Sequence, residues 1–381
     1  MHATGLTRLT TGETLPFDPT AYAREDGHPD PPVLDVNYDY ESAAVELRHR
    51  TAAFANRRDI FRWLPLLPVE TPGNVLPAGG TPLVSAPRLA KRYGLRTLYL
   101  KDETRNPTRC LKDRATAIGI TMAIEQGHSD VYCASAGNAA ISLAGYAAHA
   151  GLTCHAYVPN IASRTRIAWL RRYGANVHIS TGNYDQAYSE SEDVGARNGW
   201  YSRNCALNPF LVEGKKTCAY EIVGELAGIA PDWVLSASGD GCTLGAIGKG
   251  FREMQQVGML DRLPRLAGVQ SEAIQPMVQR FRGEDSGDAI GTTDAQSIAV
   301  GKPRNALRLL KEIEASQGEM VAVPDAEIAA AQRLLATQAG LVAEFTAAAP
   351  LAALARIAEE RSLEGQTAVL VITGGRLDEE S

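Results

Sequence analysis

One lysine of this sequence stands where its amine could do chemistry. Lys112 follows Cys110 and Leu111 in NPTRCLKDRATAIG, where KDRATAIGITMAIEQG predicts a helix. A catalytic lysine must lose its proton near neutral pH, which requires a partly dry pocket or a neighbouring positive charge. A solvated surface lysine is the alternative, and the elements around Lys112 must decide between the two.

Three loops that follow predicted strands carry the other candidate residues, since ligands of doubly wound sheets bind where strands end. Ser135 and Asn138 in SAGNAA suit a carboxylate or a ring hydroxyl, or they simply cap the next helix. Gly239 and Gly241 in SGDGCTLGAIGKG let the backbone approach an anion at a helix start, or they serve turn geometry alone. Thr373 could meet a heterocyclic nitrogen or bond neighbouring backbone.

A cofactor with a phosphate, an aldehyde for a lysine and a ring nitrogen would use all of these positions. Pyridoxal phosphate has these features, and its ring acts as an electron sink. A dinucleotide is a competing interpretation, but Gly239, Gly241 and Gly245 are spaced one residue wider than the usual fingerprint. The seven histidines form no cluster, and no Ser-His-Asp or paired-carboxylate pattern supports a hydrolase.

Short strands alternate with helices from about residue 97 onward, which indicates parallel sheet in βαβ units. The sequence predicts two α/β lobes: a large cofactor-binding domain over residues 36–113 and 206–381, and a small α/β domain over residues 114–205. Residues 1–35 are rich in Pro, Asp, Gly and Thr, and predict an irregular N-terminal arm.

Composition excludes several classes of protein. A net charge of −6 argues against a nucleic-acid partner, and no apolar run reaches the ~18 to 20 residues of a membrane span. The N-terminus lacks the apolar core of a signal peptide. Six cysteines are scattered without a C-x-x-C pair, so neither a disulfide framework nor a metal site is indicated. A cytoplasmic location is expected.

The chain resembles the threonine synthase family, pyridoxal-phosphate enzymes of fold type II, the fold of the tryptophan synthase β subunit. The resemblance covers about residues 60–378. It rests on eight ordered segments: GGTPLVSAPRLA, LYLKDETRNPTRCLKDRA, CASAGNAAISLAGYAA, NPFLVEGKKTCAYEI, PDWVLSASGDGCTLGAIGKGF, GVQSEAIQPMV, SIAVGKPRN and VITGGRLDE. It implies a two-lobed fold with mostly parallel sheets and helices on both faces.

The resemblance also implies residue roles. Lys112 would form the Schiff base, Asn138 would contact the ring oxygen of the cofactor, and Thr373 would meet the pyridine nitrogen. The phosphate cradle would consist of Gly239, Asp240, Gly241, Cys242 and Thr243. The amino acid substrate would contact Ser135, Ala136, Gly137, Asn204 and Cys205.

Several positions depart from the family pattern. Ala136, Ala139 and Cys205 stand where the family commonly has hydroxyl side chains, and Leu211 where some members have an arginine for the substrate phosphate. The family's E-P-A-G segment is EFTA here, and its final T-G-x-G is TGGR, ending in Arg376. Each buried hydrogen bond lost to a charged ligand costs about 1.5 to 3 kcal/mol. The cofactor site is therefore expected to be intact and the substrate pocket altered.

The resemblance implies a lyase that removes the α-proton of an amino acid and then eliminates and replaces a β or γ group. Conversion of O-phosphohomoserine to threonine is the leading reaction. The alternatives are a specialised β- or γ-replacement enzyme with another amino acid substrate, a serine or threonine dehydratase, and a non-catalytic cofactor-binding protein. A homodimer is also implied.

Overall fold

The computed structural model describes residues 1–22, 33–54, 57–284 and 291–375. The strands are β1 (Ala3–Arg8), β2 (Thr14–Pro16), β3 (Leu34–Tyr38), β4 (Leu83–Ser85), β5 (Thr97–Asp102), β6 (Asp130–Ala134), β7 (Thr153–Val158), β8 (Asn176–Ile179), β9 (Tyr201–Ser202), β10 (Trp233–Ala237), β11 (Arg265–Ser271), β12 (Glu319–Val323) and β13 (Thr367–Ile372). The helices are α1 (Tyr40–Phe54), α2 (Pro87–Arg92), α3 (Lys112–Glu125), α4 (Asn138–Ala150), α5 (Arg164–Arg172), α6 (Tyr184–Asn198), α7 (Phe210–Glu225), α8 (Cys242–Gln256), α9 (Pro276–Phe281), α10 (Ala306–Ala315), α11 (Asp325–Ala339) and α12 (Phe345–Glu360). Within those ranges, no helix is both long enough and apolar enough to cross a bilayer.

The chain forms two compact units. The first unit comprises the described residues up to residue 22, of 34–80 and of 106–215, and the second comprises Thr81–Arg105 and the described residues from Lys216 onward. The boundaries of these two units differ from the domain boundaries expected from the sequence. The expected domain boundaries stay a prediction.

The first unit contains a four-stranded sheet in the order β8-β7-β6-β9, and every neighbouring pair in it is parallel. Helices α4, α5 and α6 alternate with these strands along the chain. Parallel strands require a crossover of this kind, because a tight turn can only reverse the chain. The βαβ pattern expected from the sequence is therefore confirmed here.

The N-terminal segment differs from the irregular arm expected over residues 1–35. Strands β1 and β2 pair with each other, and β1 also pairs antiparallel with β3, where Leu6 lies opposite Val36. The signal in the sequence is weak because β1 and β2 are short and contain Thr and Gly, and because β1 also depends on β3, which lies about thirty residues further along the chain. Residues 23–32 of the expected arm lie outside the described residues.

The second unit contains a six-stranded sheet in the order β12-β11-β10-β13-β5-β4, parallel except for the pairing of β4 with β5. Strands β10 and β13 are buried along their whole length, and the alanine-rich helix α12 belongs to the same core. Small alanine side chains let a helix approach a sheet closely. The α/β class with mostly parallel sheets is confirmed, and the carboxyl ends of the neighbouring strands β10 and β13 lie at the same edge.

Candidate active site

Lys112 is the first residue of α3 and is half-buried. The preceding loop turns sharply at Arg109, whose φ of 67° is unusual for a residue other than glycine. The Arg109 N–H donates to the Asn106 carbonyl over 2.8 Å, which closes this turn. A half-buried lysine at the end of a constrained loop matches the partly dry position expected for a reactive amine.

The next residue, Asp113, fixes the Lys112 turn to its surroundings. Its carboxylate accepts hydrogen bonds from the Thr108 N–H at 2.6 Å, from the Thr108 hydroxyl, and from the Ser142 hydroxyl of α4 at 2.6 Å. Asp113 is fully buried, and this burial raises its pKa from 3.8 to about 6, although the donated hydrogen bonds act in the opposite direction. This role of Asp113 was not predicted from the sequence, although its position directly after Lys112 could have indicated it.

The loop from Ser135 to Asn138 connects β6 to α4, and all its residues are half-buried. The Gly137 N–H donates to the Ser135 hydroxyl over 3.0 Å, and Gly137 rather than Ser135 or Asn138 is the N-cap of α4, without a side-chain cap. Simple helix capping therefore does not explain Ser135 and Asn138. The Cys110 thiol lies 3.9 Å from the Asn138 carbonyl oxygen, so the first unit brings this loop next to the loop of Lys112.

The side-chain amide of Asn204 makes hydrogen bonds that hold neighbouring segments together. Its oxygen accepts from the Ala134 N–H at 2.9 Å, and its nitrogen donates to Ser191 at 3.2 Å and Glu192 at 2.5 Å. These bonds tie the segment after β9 to the end of β6, just before the Ser135 loop. The neighbouring Cys205 is half-buried and accepts contacts from two cationic side chains that the sequence analysis did not single out.

Leu211 is a core residue, not a lining residue of an open pocket. It is fully buried in α7, and its Cδ2 lies so close to Gly119 of α3 that a Cβ on that glycine would come within 2.8 Å. An arginine at this position would need a different helix packing. The absence of the family's arginine is thus explained by the contact between α7 and α3.

In the second unit, the glycine loop after β10 has the geometry of an anion cradle. Gly241 has a φ of 90°, and as N-cap of α8 it offers no side chain to the first turn of that helix. A Cβ at Gly241 would lie 2.6 Å from the Asn305 carbonyl oxygen, and one at Gly239 would lie 2.9 Å from the Cα of Ile298. Glycine is therefore required at both positions, and the helix N-terminus, including Cys242 and Thr243, is left suited to a phosphate.

Asp240 contributes differently from the cradle role that the resemblance implies for it. Its carboxylate accepts from the Arg304 N–H at 2.6 Å and from the side-chain amide of Asn305 at 2.6 Å. The carboxylate is thereby held by hydrogen bonds to the loop at residues 304 and 305. Asp240 fastens the cradle.

Thr373 follows β13 and is half-buried. The carbonyl of the next residue, Gly374, accepts from the Glu344 N–H at 2.9 Å, and a Cβ on Gly374 would lie 3.1 Å from the Glu344 carboxylate. Because β10 and β13 are parallel neighbours, Thr373 and the glycine loop lie at the same edge of the six-stranded sheet. Arg376 lies outside the described residues.

The described residues hold no group of three or more His, Cys, Asp and Glu side chains that could bind a metal ion. Lys112, the Ser135 loop and the Asn204–Cys205 segment belong to the first unit, and the cradle and Thr373 to the second. Each unit by itself carries features that fit pyridoxal phosphate: the first has a half-buried lysine, and the second has a helix N-terminus that only glycine can shape and a hydroxyl at the end of a buried strand.

Comparison with known proteins gives a family. The model of the pyridoxal-phosphate dependent enzymes matches residues 75–374. The threonine synthase of Methanocaldococcus jannaschii is 35% identical over 377 residues, covering 96% of this chain and 91% of the relative. The threonine synthase of Methanosarcina acetivorans is 33% identical over 353 residues, covering 91% and 85%.

Solved structures agree on the fold. A pyridoxal 5'-phosphate-dependent aspartate racemase superposes with a TM-score of 0.70 at 19% identity, covering 88% of this chain and 95% of that one. Threonine deaminase isoform 2 of Solanum lycopersicum gives 0.68 at 21% identity, covering 78% and 84%. These similarities show the fold type II architecture alone. The chain belongs to the pyridoxal-phosphate dependent enzymes and, within them, to the threonine synthase family.

Proposed function

We propose that this chain is a pyridoxal-phosphate lyase that converts O-phospho-L-homoserine and water to threonine and inorganic phosphate. The similarity to threonine synthases along nearly the whole chain supports this reaction. The observation that carries it is the placement of Lys112, half-buried at the start of α3 and braced by the buried carboxylate of Asp113. When bound, the cofactor supplies a ring that withdraws electrons from the α-carbon of the substrate.

Each candidate residue receives a role in this proposal. Lys112 holds the cofactor at rest, and its Nζ takes the α-proton of the substrate and returns protons later in the reaction. The N–H groups at the start of α8, shaped by Gly239 and Gly241, hold the phosphate. Thr373 would offer the ring nitrogen a neutral hydroxyl instead of a carboxylate. Asn138 contacts the ring oxygen.

The substrate is expected to bind at the half-buried Ser135–Asn138 loop, which lies next to the loop of Lys112. In this pocket Ala136 and Ala139 provide no hydroxyl, and Cys205 provides a thiol. This altered chemistry favours a second candidate, β- or γ-replacement on a different amino acid. Leu211 carries no weight for that alternative, because its burial against α3 makes it a packing residue.

A homodimer in the cytoplasm completes the proposal. The family resemblance supports the dimer. The location is supported by cysteine usage: all six cysteines, which lie within the described ranges, are free thiols, as a reducing compartment would keep them.

The test is release of phosphate and formation of threonine from O-phospho-L-homoserine by the cofactor-loaded protein. The parent chain and the Lys91→Ala variant, which changes an exposed lysine of α2, should form both products in equal amounts. Lys112→Ala should form neither and should lose the visible absorbance of the bound cofactor. Turnover by Lys112→Ala would refute the mechanism, whereas an inactive parent chain with normal cofactor absorbance would favour the second candidate.

A further inference from the structure

Cys205 lies next to two cationic side chains, Arg203 and Lys215, to which the proposed reaction gives no role. The Arg203 Nη1 and the Lys215 Nζ each donate to the Cys205 sulfur over 3.3 Å. Both cationic side chains are almost completely buried, with relative exposures of 3% for Arg203 and 1% for Lys215, while Cys205 is half-buried. Of these three residues, Cys205 therefore has the most contact with solvent.

The two cations favour the negatively charged form of this thiol. A positive charge next to a sulfur stabilises the thiolate, and its effect grows as water is excluded from around the charges. Burial dominates at other cysteines of the chain: it raises the pKa of Cys133 to about 12, although the charge of Arg203 acts in the opposite direction, and it raises the pKa of Cys154 well above its usual value. Cys110, Cys218 and Cys242 are buried as well.

The Arg203 guanidinium is held in place by further contacts. Its Nε donates to the Thr116 hydroxyl at 3.2 Å, and its Nη2 donates to the Lys112 carbonyl at 3.3 Å. The guanidinium therefore cannot swing away from Cys205 without breaking contacts to α3. These bonds also connect Cys205, through one side chain, to the turn that carries Lys112.

We propose that Cys205 is a thiolate at neutral pH and a site of reversible covalent modification by low-molecular-weight disulfides. Its proton passes to solvent, and the thiolate attacks one sulfur of the disulfide. A new sulfur–sulfur bond forms to Cys205, the original one breaks, and the second sulfur leaves as a thiolate. Electrons balance without any other oxidant, and an added thiol reverses the step by the same exchange.

Modification of Cys205 also inactivates the enzyme, a consequence that rests on the proposed function. Cys205 is a predicted substrate contact, and an adduct there would fill the pocket and disturb the Arg203 contact with the Lys112 turn. The reactivity of the thiol does not depend on which reaction the enzyme catalyses, so the two claims can fail separately.

The reactivity is tested with limiting iodoacetamide on the cofactor-loaded protein between pH 5 and 9, followed by peptide mass spectrometry. Cys205 should be alkylated first, at least about tenfold faster at pH 7 than any of the five buried cysteines, and its rate should level off below the pH of about 8.5 at which ordinary thiols titrate. A Cys205 rate that still rises through pH 8.5, or that matches the buried cysteines, would overturn the proposal.

Variants of Lys215 test the cause. Lys215→Gln should slow the alkylation of Cys205 at pH 7 about tenfold, because one adjacent charge is lost. Lys215→Arg keeps the charge and should keep most of the rate, and Lys91→Gln should match the parent chain. Equal rates in Lys215→Gln and the parent chain would remove the electrostatic basis of the proposal.

The consequence is tested with oxidised glutathione. Treatment should add one glutathione at Cys205 and abolish threonine formation, and dithiothreitol should restore both. Cys205→Ser should keep, after treatment, the same activity that it had before. An adduct at Cys205 without loss of activity would refute the inactivation alone, whereas an untreated enzyme that is inactive points to a failure of the proposed function.

Discussion

Gly241 is the residue of the proposed phosphate cradle where a substitution should have the largest effect. This residue has a φ of 90°, and a Cβ built on it would lie 2.6 Å from the Asn305 carbonyl oxygen. Gly241→Ala therefore introduces both backbone strain and a collision. Gly258, which follows α8, is a matched control: it has a φ of 73°, but a Cβ there would meet nothing within 4 Å.

The two variants share one cost and differ in another. A left-handed conformation costs an L-residue about 1 to 2 kcal/mol, which both variants incur. Overpacking against backbone adds about 1 to 3 kcal/mol, and only Gly241→Ala incurs this term. The loop relieves the collision by moving away from the start of α8. A loss of about 2 kcal/mol in cofactor contacts corresponds to roughly 30-fold weaker binding.

The assay is a titration of the apoprotein with pyridoxal phosphate, followed by visible absorbance, together with thermal unfolding of each apoprotein. Gly258→Ala should lower the melting temperature and leave cofactor affinity at the parent value. Gly241→Ala should lower the melting temperature further and weaken cofactor binding roughly 30-fold. The cradle assignment fails if Gly241→Ala and Gly258→Ala bind the cofactor equally tightly.

Two further predictions concern buried charges. Because burial raises the pKa of Asp113 from 3.8 to about 6, the folded chain binds more protons than the unfolded chain between these pH values, and its stability falls as pH rises through them. The fall in unfolding free energy from this carboxyl amounts to about 3 kcal/mol, and Asp113→Asn should abolish it. The measurement is denaturant unfolding of both proteins at pH 4 and pH 7. An equal pH dependence of stability in the variant and the parent chain would contradict this prediction. In the second unit, Glu253 is fully buried between Lys216 at 2.9 Å and Lys249 at 3.7 Å. Glu253→Gln should cost about 3 to 5 kcal/mol of unfolding free energy, because it removes a buried negative charge that two buried cations contact. A similar loss in the exposed Glu364→Gln would show that the effect is not one of burial.

The sequence predicted the structure best where a functional feature is formed by residues that are adjacent in the chain. A lysine at the start of a helix and a glycine loop between a buried strand and a helix are local features, and the structure has both as expected. The alternation of strands and helices gave the parallel sheets for the same reason, because its period is local. By contrast, β1 depends on hydrogen bonds to β3 across some thirty residues, so the N-terminal sheet was missed.

Only the tertiary structure decided what several side chains do. Asp240 was expected to contact a phosphate, but its carboxylate holds the cradle in place through Asn305. Leu211 was expected to mark an altered substrate pocket, but it packs on Gly119. The cluster of Cys205 with Arg203 and Lys215 joins the segment after β9 to the middle of α7. The sequence by itself indicated the cofactor class and the α/β fold, because the local motifs, together with the eight segments that resemble the family, are features of order along the chain. The charge and reach of each side chain depend on burial and on partners distant in sequence, which only the folded chain brings together.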